Sequence, residues 1–477
     1  MNLSADAVVV LPELILAAGG MILMLVGVFT GDHAQRMLSY MGVALFVGVG
    51  ALICAMPMGT AFNGAFVADG FSRFVKLLVL LGAAIVLIMS QAYLVREKMS
   101  RFEFPVLIVF SIVGMMLMAS AADFITLYLG MELQSLALYV LAAFNRDNLR
   151  STEAGLKYFV LGALSSGMML YGISLIYGFA GATGFAKVAM VVQSGGITTG
   201  VVFGLVFLIS GLAFKIAAVP FHMWTPDVYE GAPTPITAFF SASPKVAAMA
   251  LFVRAMTEAL PSALDQWRQI VIFIAILSMA LGAVAAIGQN NIKRLMAYSS
   301  IANMGYVLIG LATGTPDGVQ GVLIYLAIYL VTNIGIFACI LAMRRGEAMV
   351  ENIPDLAGLA QSRPGYAFIF AMLMFSLAGI PPLAGFFAKF YVFLAAVKAG
   401  LYPLAVIGVL ISVVGAYYYL RIVKVIYFDP PAPEFERDMG PSLSAIIFAS
   451  GIFTLFFVLG AAPLVGAAGA AAAALFP

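Results

Sequence analysis

Fourteen apolar runs of about 17–30 residues each, separated by polar residues or by Gly and Pro, govern what this chain can become. About 20 apolar residues make a helix long enough to cross the hydrocarbon core of a bilayer. The runs cover 9–30, 38–58, 72–94, 104–121, 123–144, 154–179, 200–225, 235–258, 268–288, 295–313, 318–343, 366–398, 402–427 and 443–467, numbered here helices 1 to 14. Only Ala121-Ala122-Asp123 separates helix 4 from helix 5. The chain is 63% hydrophobic and 10% charged, against about 25% charged in soluble domains. These features predict an all-α polytopic membrane protein in one membrane domain, residues 1–477. No Lys or Arg precedes Arg36, so helix 1 reads as a retained span rather than a cleaved signal. The residues after helix 14, "GAAGAAAAALFP", read as a small-residue tail with no chemistry.

Basic residues set the orientation. Loops after odd-numbered helices hold 14 of the 24 Lys and Arg, from Arg36 to Arg437, whereas the opposite face holds five: Arg73, Lys187, Arg254, Arg268 and Lys398. The positive-inside rule then places the odd-helix loops in the cytoplasm and both termini in the periplasm of a bacterial inner membrane. The net charge of +2 and the absence of a basic run longer than two residues argue against nucleic-acid binding. Two cysteines, Cys54 and Cys339, and two histidines, His33 and His222, supply neither a CxxC nor a haem or cluster spacing. With no GxGxxG and no GxxxxGK[ST] either, the chain shows no cofactor or metal site of its own. Its work must be driven by an ion gradient or by a partner.

The five remaining basic residues, Lys76, Lys157, Lys215, Lys245 and Lys389, fall inside predicted spans. Lys76 lies near the outer end of helix 3 and is expected to snorkel. Lys157 lies near the inner end of helix 6, where snorkelling and function are equally open. The other three are deep, and a charge at the bilayer centre costs roughly 2.5–3.5 kcal/mol even on the lenient scale. Helix 5 adds Glu132 in "FITLYLGMELQSLALYVL". A neutral packing carboxyl is the bland alternative, but intramembrane carboxyls more often mark an ion path.

Two of these lysines lie beside prolines that should break their helices. "FGLVFLISGLAFKIAAVPFHMW" places Lys215, Pro220 and His222 on helix 7, and "SLAGIPPLAGFFAKF" places Pro381, Pro382 and Lys389 on helix 12. Each proline removes a helix hydrogen bond at about 3 kcal/mol. Such breaks are tolerated in a membrane where they line a polar or hydrated cavity, which also makes a neighbouring amine bearable. Lys245 follows Pro244 on helix 8 in "SASPKVAAMALF". A buried amine whose carboxylate partner approaches or retreats is a proton switch, because burial and a nearby carboxylate push its affinity for protons in opposite directions. The row Glu132, Lys215, Lys245, Lys389 suits protons better than sodium, which needs oxygen ligands.

At these residues the chain resembles the antiporter-like subunits of proton-pumping NADH–quinone oxidoreductase, respiratory complex I. The resemblance rests on "FKIAAVPFHMWTPDVYEGAPTPITAFFSASPK" (214–245), "NNIKRLMAYSSIANMGY" (290–306) and "SLAGIPPLAGFFAKF" (376–390), and extends over essentially the whole chain. It implies fourteen core helices with broken helices 7 and 12. It also implies two inverted five-helix repeats, which fall on 104–258 and 268–427, after the N-terminal helices of 1–103 and before helix 14 at 443–467. By the resemblance Glu132 faces Lys215, Lys245 is the central relay residue, and Lys389 is the terminal one. His222, Lys157 and Tyr298 also match positions along the path. Within the family, Lys389 argues against the M-type branch, which has a glutamate there. The short stretch after helix 14 argues against the L-type branch, which continues into a long lateral helix. The N-type branch remains.

The implied activity is proton translocation as a subunit of the oxidoreductase, with NADH, FMN, iron–sulfur clusters and quinone held by partner subunits. The implied partners are a neighbouring antiporter-like subunit, the small quinone-side membrane subunits and the lipid bilayer. A cation/proton antiporter subunit, which shares the motifs of helices 7 and 12 without redox coupling, is the alternative. A secondary transporter for a small solute stands below both.

Overall fold

The computed structural model describes residues 3–346 and 348–476, so Pro477 at the end of the predicted tail lies outside the described residues. Among the described residues, thirteen helices are long and apolar enough to cross a membrane. The fourteenth crossing, helix 12, is split into Pro364–Ala378 and Ala384–Lys398, each too short to span alone. Helices 4 and 5 are separate, at Glu103–Ser120 and Phe124–Ala142, because Asp123 caps the second by accepting from the backbone N–H groups of Ile125 and Thr126. A carboxylate there satisfies donors that a helix start leaves unpaired. The only strands among the described residues form two short ribbons, Gly59–Ala61 with Phe66–Ala68 and Arg344–Arg345 with Ala348–Met349.

Three stretches differ from expectation. Helix 7 ends at Ile216, nine residues short of its predicted limit, and its second part is Thr225–Gly231. Helix 8, read as one run over 235–258, is two helices, Thr234–Ser241 and Ser243–Arg254, followed by a π-helical turn at Ala255–Ala259. Pro244 explains that break, since it offers no N–H to the carbonyl of Phe240 four residues back. The Ala-rich tail is not loose: helix 14 runs from Pro441 to Ala473, and Ala468, Ala471 and Ala472 are buried. Small side chains let it approach the start of helix 3 at Gly70.

The bundle has an inside and an outside. Helix 8 is wholly enclosed, and helices 10 (Ile292–Thr313) and 11 (Pro316–Leu341) nearly so, whereas helices 1, 13 and 14 bury only about a third of their residues. An apolar outer surface is what lipid contact requires. The polar residues of helices 8 and 10 are thereby confined to the centre.

Candidate functional site

Helix 5 presents Glu132, Ser135 and Tyr139 at spacings of three and four, which puts them on one face. Lys215, in the last turn of Thr199–Ile216, meets that face: its Nζ donates to Ser135 Oγ at 2.7 Å and to Tyr139 Oη at 3.3 Å. The rings of Tyr139 and Phe214 lie 5.6 and 5.7 Å from the amine, within cation–π range. Lys215 is 6% exposed. Glu132 is only half-buried and accepts from Ser166 Oγ on helix 6. The expected direct contact between Glu132 and Lys215 is therefore absent: among the described residues they form no ion pair. Each has found a hydroxyl instead, and Ser135 stands one helical turn from Glu132.

The break in helix 7 begins at Ala217, which takes a left-handed conformation (φ 62°). Val219 N donates to Ser278 Oγ of helix 9 (Leu264–Ile287) at 2.9 Å, and Trp224 Nε1 donates to Phe214 O at 3.1 Å. These bonds replace some of those the helix forgoes. His222 sits in the break, and its Nδ1 is buried with no hydrogen-bond partner among the described residues. Trp224 stacks on Tyr158 at 4.4 Å, and Tyr158 in turn meets Tyr139 and, at 5.6 Å, Phe240 of helix 8. Aromatic rings thus connect the surroundings of Lys215 with helix 8.

Lys245, 1% exposed, donates to Ser300 Oγ of helix 10, and Tyr329 Oη of helix 11 donates to the same oxygen at 2.8 Å. From there helix 10 carries a polar face of Ser299, Ser300, Asn303 and Tyr306. Ser299 and Tyr419 share a hydrogen bond of 2.5 Å, Asn303 Nδ2 reaches Tyr419 Oη at 3.3 Å, and Tyr325 Oη donates to Asn303 Oδ1 at 2.6 Å. Tyr306 then places its ring 4.8 Å from Lys389 Nζ. Seven residues of helix, about 10 Å, carry this face from Ser299 to Tyr306.

Lys389 closes the row. Its Nζ donates to Ala378 O at 3.0 Å and to Ser412 Oγ at 2.9 Å. Ala378 O is the carbonyl that the N–H of residue 382 would take in a continuous helix, and residue 382 is a proline. The break frees a carbonyl and the lysine seven residues after Pro382 takes it. Gly379, at φ 90°, allows the chain to turn there.

The remaining sequence candidates lie elsewhere. Lys157 is 40% exposed and pairs with Glu153 and Asp227, at 2.6 and 2.8 Å. Asp227 and Glu230 also pair with Arg294, so Lys157 belongs to a rim of ion pairs joining helices 6, 7 and 10. Tyr298 is half-buried, and its hydroxyl makes no hydrogen bond among the described residues. Lys76 does not snorkel: it is 4% exposed and forms an ion pair with Glu13 at 2.7 Å, because a buried carboxylate is available on helix 1. The hydroxyls that seat the lysines, Ser135, Tyr139, Ser300 and Ser412, were not anticipated, nor were Asn303 and Tyr329 on the polar face beside them. Of these, Ser300 and Asn303 had a signal, a polar spacing of three and four inside the apolar run of helix 10.

Residues 121–415 match the family described as NADH:quinone oxidoreductase/Mrp antiporter. NADH-quinone oxidoreductase subunit N of Parvibaculum lavamentivorans is 62% identical over 469 residues, covering 98% of this chain and 97% of the relative. Subunit N 1 of Rhizobium meliloti is 58% identical over 468 residues, with 98% and 97% covered. Among solved structures, a chain of respiratory complex I from Thermus thermophilus with bound aureothin superposes with a TM-score of 0.82 at 33% identity, over 96% of this chain and 99% of that one. A chain of the Mrp complex from Dietzia sp. DQ12-45-1b reaches a TM-score of 0.85 at 22% identity, over 100% of this chain and 98% of that one, a likeness of fold alone.

Proposed function

The chain belongs to the NADH:quinone oxidoreductase/Mrp antiporter family, among the N subunits of NADH-quinone oxidoreductase, and from that membership we propose that its buried lysine row is the path along which it translocates protons. The observation that carries this reading is the seating of the three amines. Lys215, Lys245 and Lys389 each rest on hydroxyl or carbonyl oxygens rather than on a carboxylate. An amine bonded to neutral acceptors is free to lose its proton without leaving a buried carboxylate unpaired. Lys245 passes to Lys389 along the polar face of helix 10, and Glu132 biases the charge on Lys215 from one turn away. His222 lies at the helix 7 break beside this row, while Lys157 and Tyr298 flank it.

The driving redox chemistry, with NADH, FMN, iron–sulfur clusters and quinone, resides in partner subunits, among them a neighbouring antiporter-like subunit and the small quinone-side membrane subunits. The membrane is the bacterial inner membrane with both termini periplasmic, as the 14-to-5 distribution of basic loop residues supports. A C-terminal reporter active in the cytoplasm would refute that orientation. The antiporter-subunit reading shares the fold and the family description, but the high-identity relatives named above are N subunits of the oxidoreductase. Lys245→Ala is the direct test of the relay. In assembled complex reconstituted into liposomes, it should lower proton uptake per NADH oxidised by about tenfold, the effect of losing about 1.4 kcal/mol of charge stabilisation. Undiminished uptake would remove the lysine row from the path.

A further inference from the structure

Three polar atoms beside the seat of Lys245 are buried without a hydrogen bond among the described residues. They are Tyr229 Oη, on the second part of helix 7, and both amide atoms of Asn333, Oδ1 and Nδ2, on helix 11. Tyr229 is fully buried and Asn333 is 1% exposed. Asn333 follows Tyr329 by four residues, so the two share a face of helix 11. Its amide faces Tyr329 Oη, and the Tyr229 hydroxyl faces Ser300, each outside hydrogen-bond geometry. The Tyr229 ring lies 5.7 Å from Lys245 Nζ. Unpaired buried polar atoms cost stability, and native structures hold few of them. Three in one place have to be accounted for.

Hydrogen-bond direction accounts for them. Lys245 Nζ, Ser300 Oγ and Tyr329 Oη are bonded in series, the last pair at 2.8 Å, and the Asn333 amide stands next in line. A hydroxyl gives one hydrogen and accepts others, so a series of hydroxyls has a direction. A charged amine has only hydrogens to give, and it is met by a series running outward: Lys245 to Ser300, Ser300 to Tyr329, Tyr329 to Asn333 Oδ1. A neutral amine also has a lone pair, and it is met by a series running inward: Asn333 Nδ2 to Tyr329, Tyr329 to Ser300, Ser300 to Lys245. An amide carries an acceptor and a donor on a soft terminal torsion, so one residue can end the series either way. Tyr229 Oη gives Ser300 a second outlet for its hydrogen. No salt bridge reaches Lys245 among the described residues. The ionisable side chains bordering its seat are the phenols of Tyr229 and Tyr329, with Tyr158 and Tyr419 behind them, and Lys76 of helix 3 is paired with Glu13.

We propose that Asn333 is a positioning residue for Lys245: it ends a reversible hydroxyl series that seats the amine in both of its protonation states without a carboxylate. The role rests on the relay reading of Lys245. Within the series only hydroxyls and the amide turn; the one proton gained or lost is that of the Lys245 amine. The atoms left unpaired are the spare donor and acceptors that a reversal uses, which is why the fold keeps an amide in this apolar helix. Substitutions at this position then act with a sign. Leucine cannot accept, so Tyr329 is left with Ser300 as the outlet for its hydrogen, and the inward run, suited to the neutral amine, is favoured. An ionised aspartate accepts only, and favours the outward run and the charged amine.

The test compares Asn333→Leu with Asn333→Asp in assembled complex in liposomes, following proton uptake per NADH oxidised as a function of pH. Asn333→Leu should lower the ratio about threefold, with Tyr229 remaining as the other outlet. It should also move the alkaline fall of the profile to lower pH, because the charged amine is less well seated, while thermal stability holds or rises as an unpaired amide is removed. Asn333→Asp should move that fall to higher pH. A residue that only packs would lower stability and leave ratio and profile where they are. Unmoved profiles, or shifts of the same sign in both variants, would overturn the proposal. If either variant does not assemble, Asn333→Thr and Asn333→Val decide, since they share a shape and differ in a hydroxyl. Threonine should keep the ratio and valine lose it; equal ratios end the proposal. Lys245→Ala run alongside separates the two ideas: normal uptake there sinks the relay itself, while impaired uptake there with unmoved profiles at position 333 sinks only the role of Asn333.

Discussion

Helix 7 and helix 12 violate the same two rules, each carrying proline in its apolar run and a lysine beside the break, but they accommodate the amine differently. In helix 12, Lys389 turns back to the carbonyl of Ala378, the group that Pro382 orphans. Break and charge meet within one segment, with Ser412 of helix 13 as a second acceptor. In helix 7, Lys215 precedes Pro220 and turns away from the break to the hydroxyls of Ser135 and Tyr139 on helix 5. The break bonds separately to Ser278. A lysine held by its own segment is fixed by the chain, whereas one held by another helix changes its surroundings whenever the two helices shift. By this comparison the helix 7 lysine is the one a moving neighbour can switch.

The strongest way to break that conclusion is through Glu132 and Lys215. Lys215→Ala and Glu132→Gln should each lower proton uptake by about tenfold or more, since bonds to a charged group contribute about 1.5–3 kcal/mol. The two do not touch, so their coupling has to act across one turn of helix 5. If they act as a unit, the double variant is little worse than either single one. Fully additive losses, measured as uptake per NADH oxidised, would show two independent residues and end the switch reading of helix 7.

A middle-sized effect separates the two breaks. Pro382→Ala supplies an N–H that competes with Lys389 for Ala378 O. Thermal stability should hold or rise, while proton uptake falls about threefold to tenfold as the amine loses an acceptor. Pro220→Ala frees no acceptor that Lys215 uses, and its loss of pumping should be the smaller. Equal losses from the two substitutions would erase the distinction between the helices.

What the sequence disclosed follows the same physics. Prolines and lysines in apolar runs break a local rule, so the broken helices 7 and 12 and the lysines of helices 7, 8 and 12 stood out. Pro244 gave no such warning of a second helix, because proline is equally at home in the first turn of one. The hydroxyls were silent for another reason. Ser210 donates to its own helix at Val206 O, 2.8 Å away, whereas Ser300 receives Lys245. Nothing in the identity of a serine separates the two uses. Lys76 was misplaced because its partner Glu13 is 63 residues away in sequence, and a lysine near a helix end has an ordinary reading as a snorkelling one.

The finest test compares single hydroxyls under the two lysines. Ser135 is the short partner of Lys215, at 2.7 Å, and Tyr139 at 3.3 Å is a weak substitute for it. Ser412 is one of two close partners of Lys389, it is half-exposed, and Ala378 O remains at 3.0 Å when the hydroxyl is gone. Ser135→Ala should therefore reduce proton uptake by about fivefold and Ser412→Ala by about twofold, the smaller loss reflecting the acceptor that stays behind. Both should assemble normally, since each replacement leaves space rather than a clash. The ratio of the two losses matters more than either value, because it compares an amine that depends on a neighbouring helix with one that keeps its own carbonyl. If Ser412→Ala proves as damaging as Ser135→Ala, the Ala378 carbonyl is not a sufficient seat, and helix 12 too depends on its neighbour.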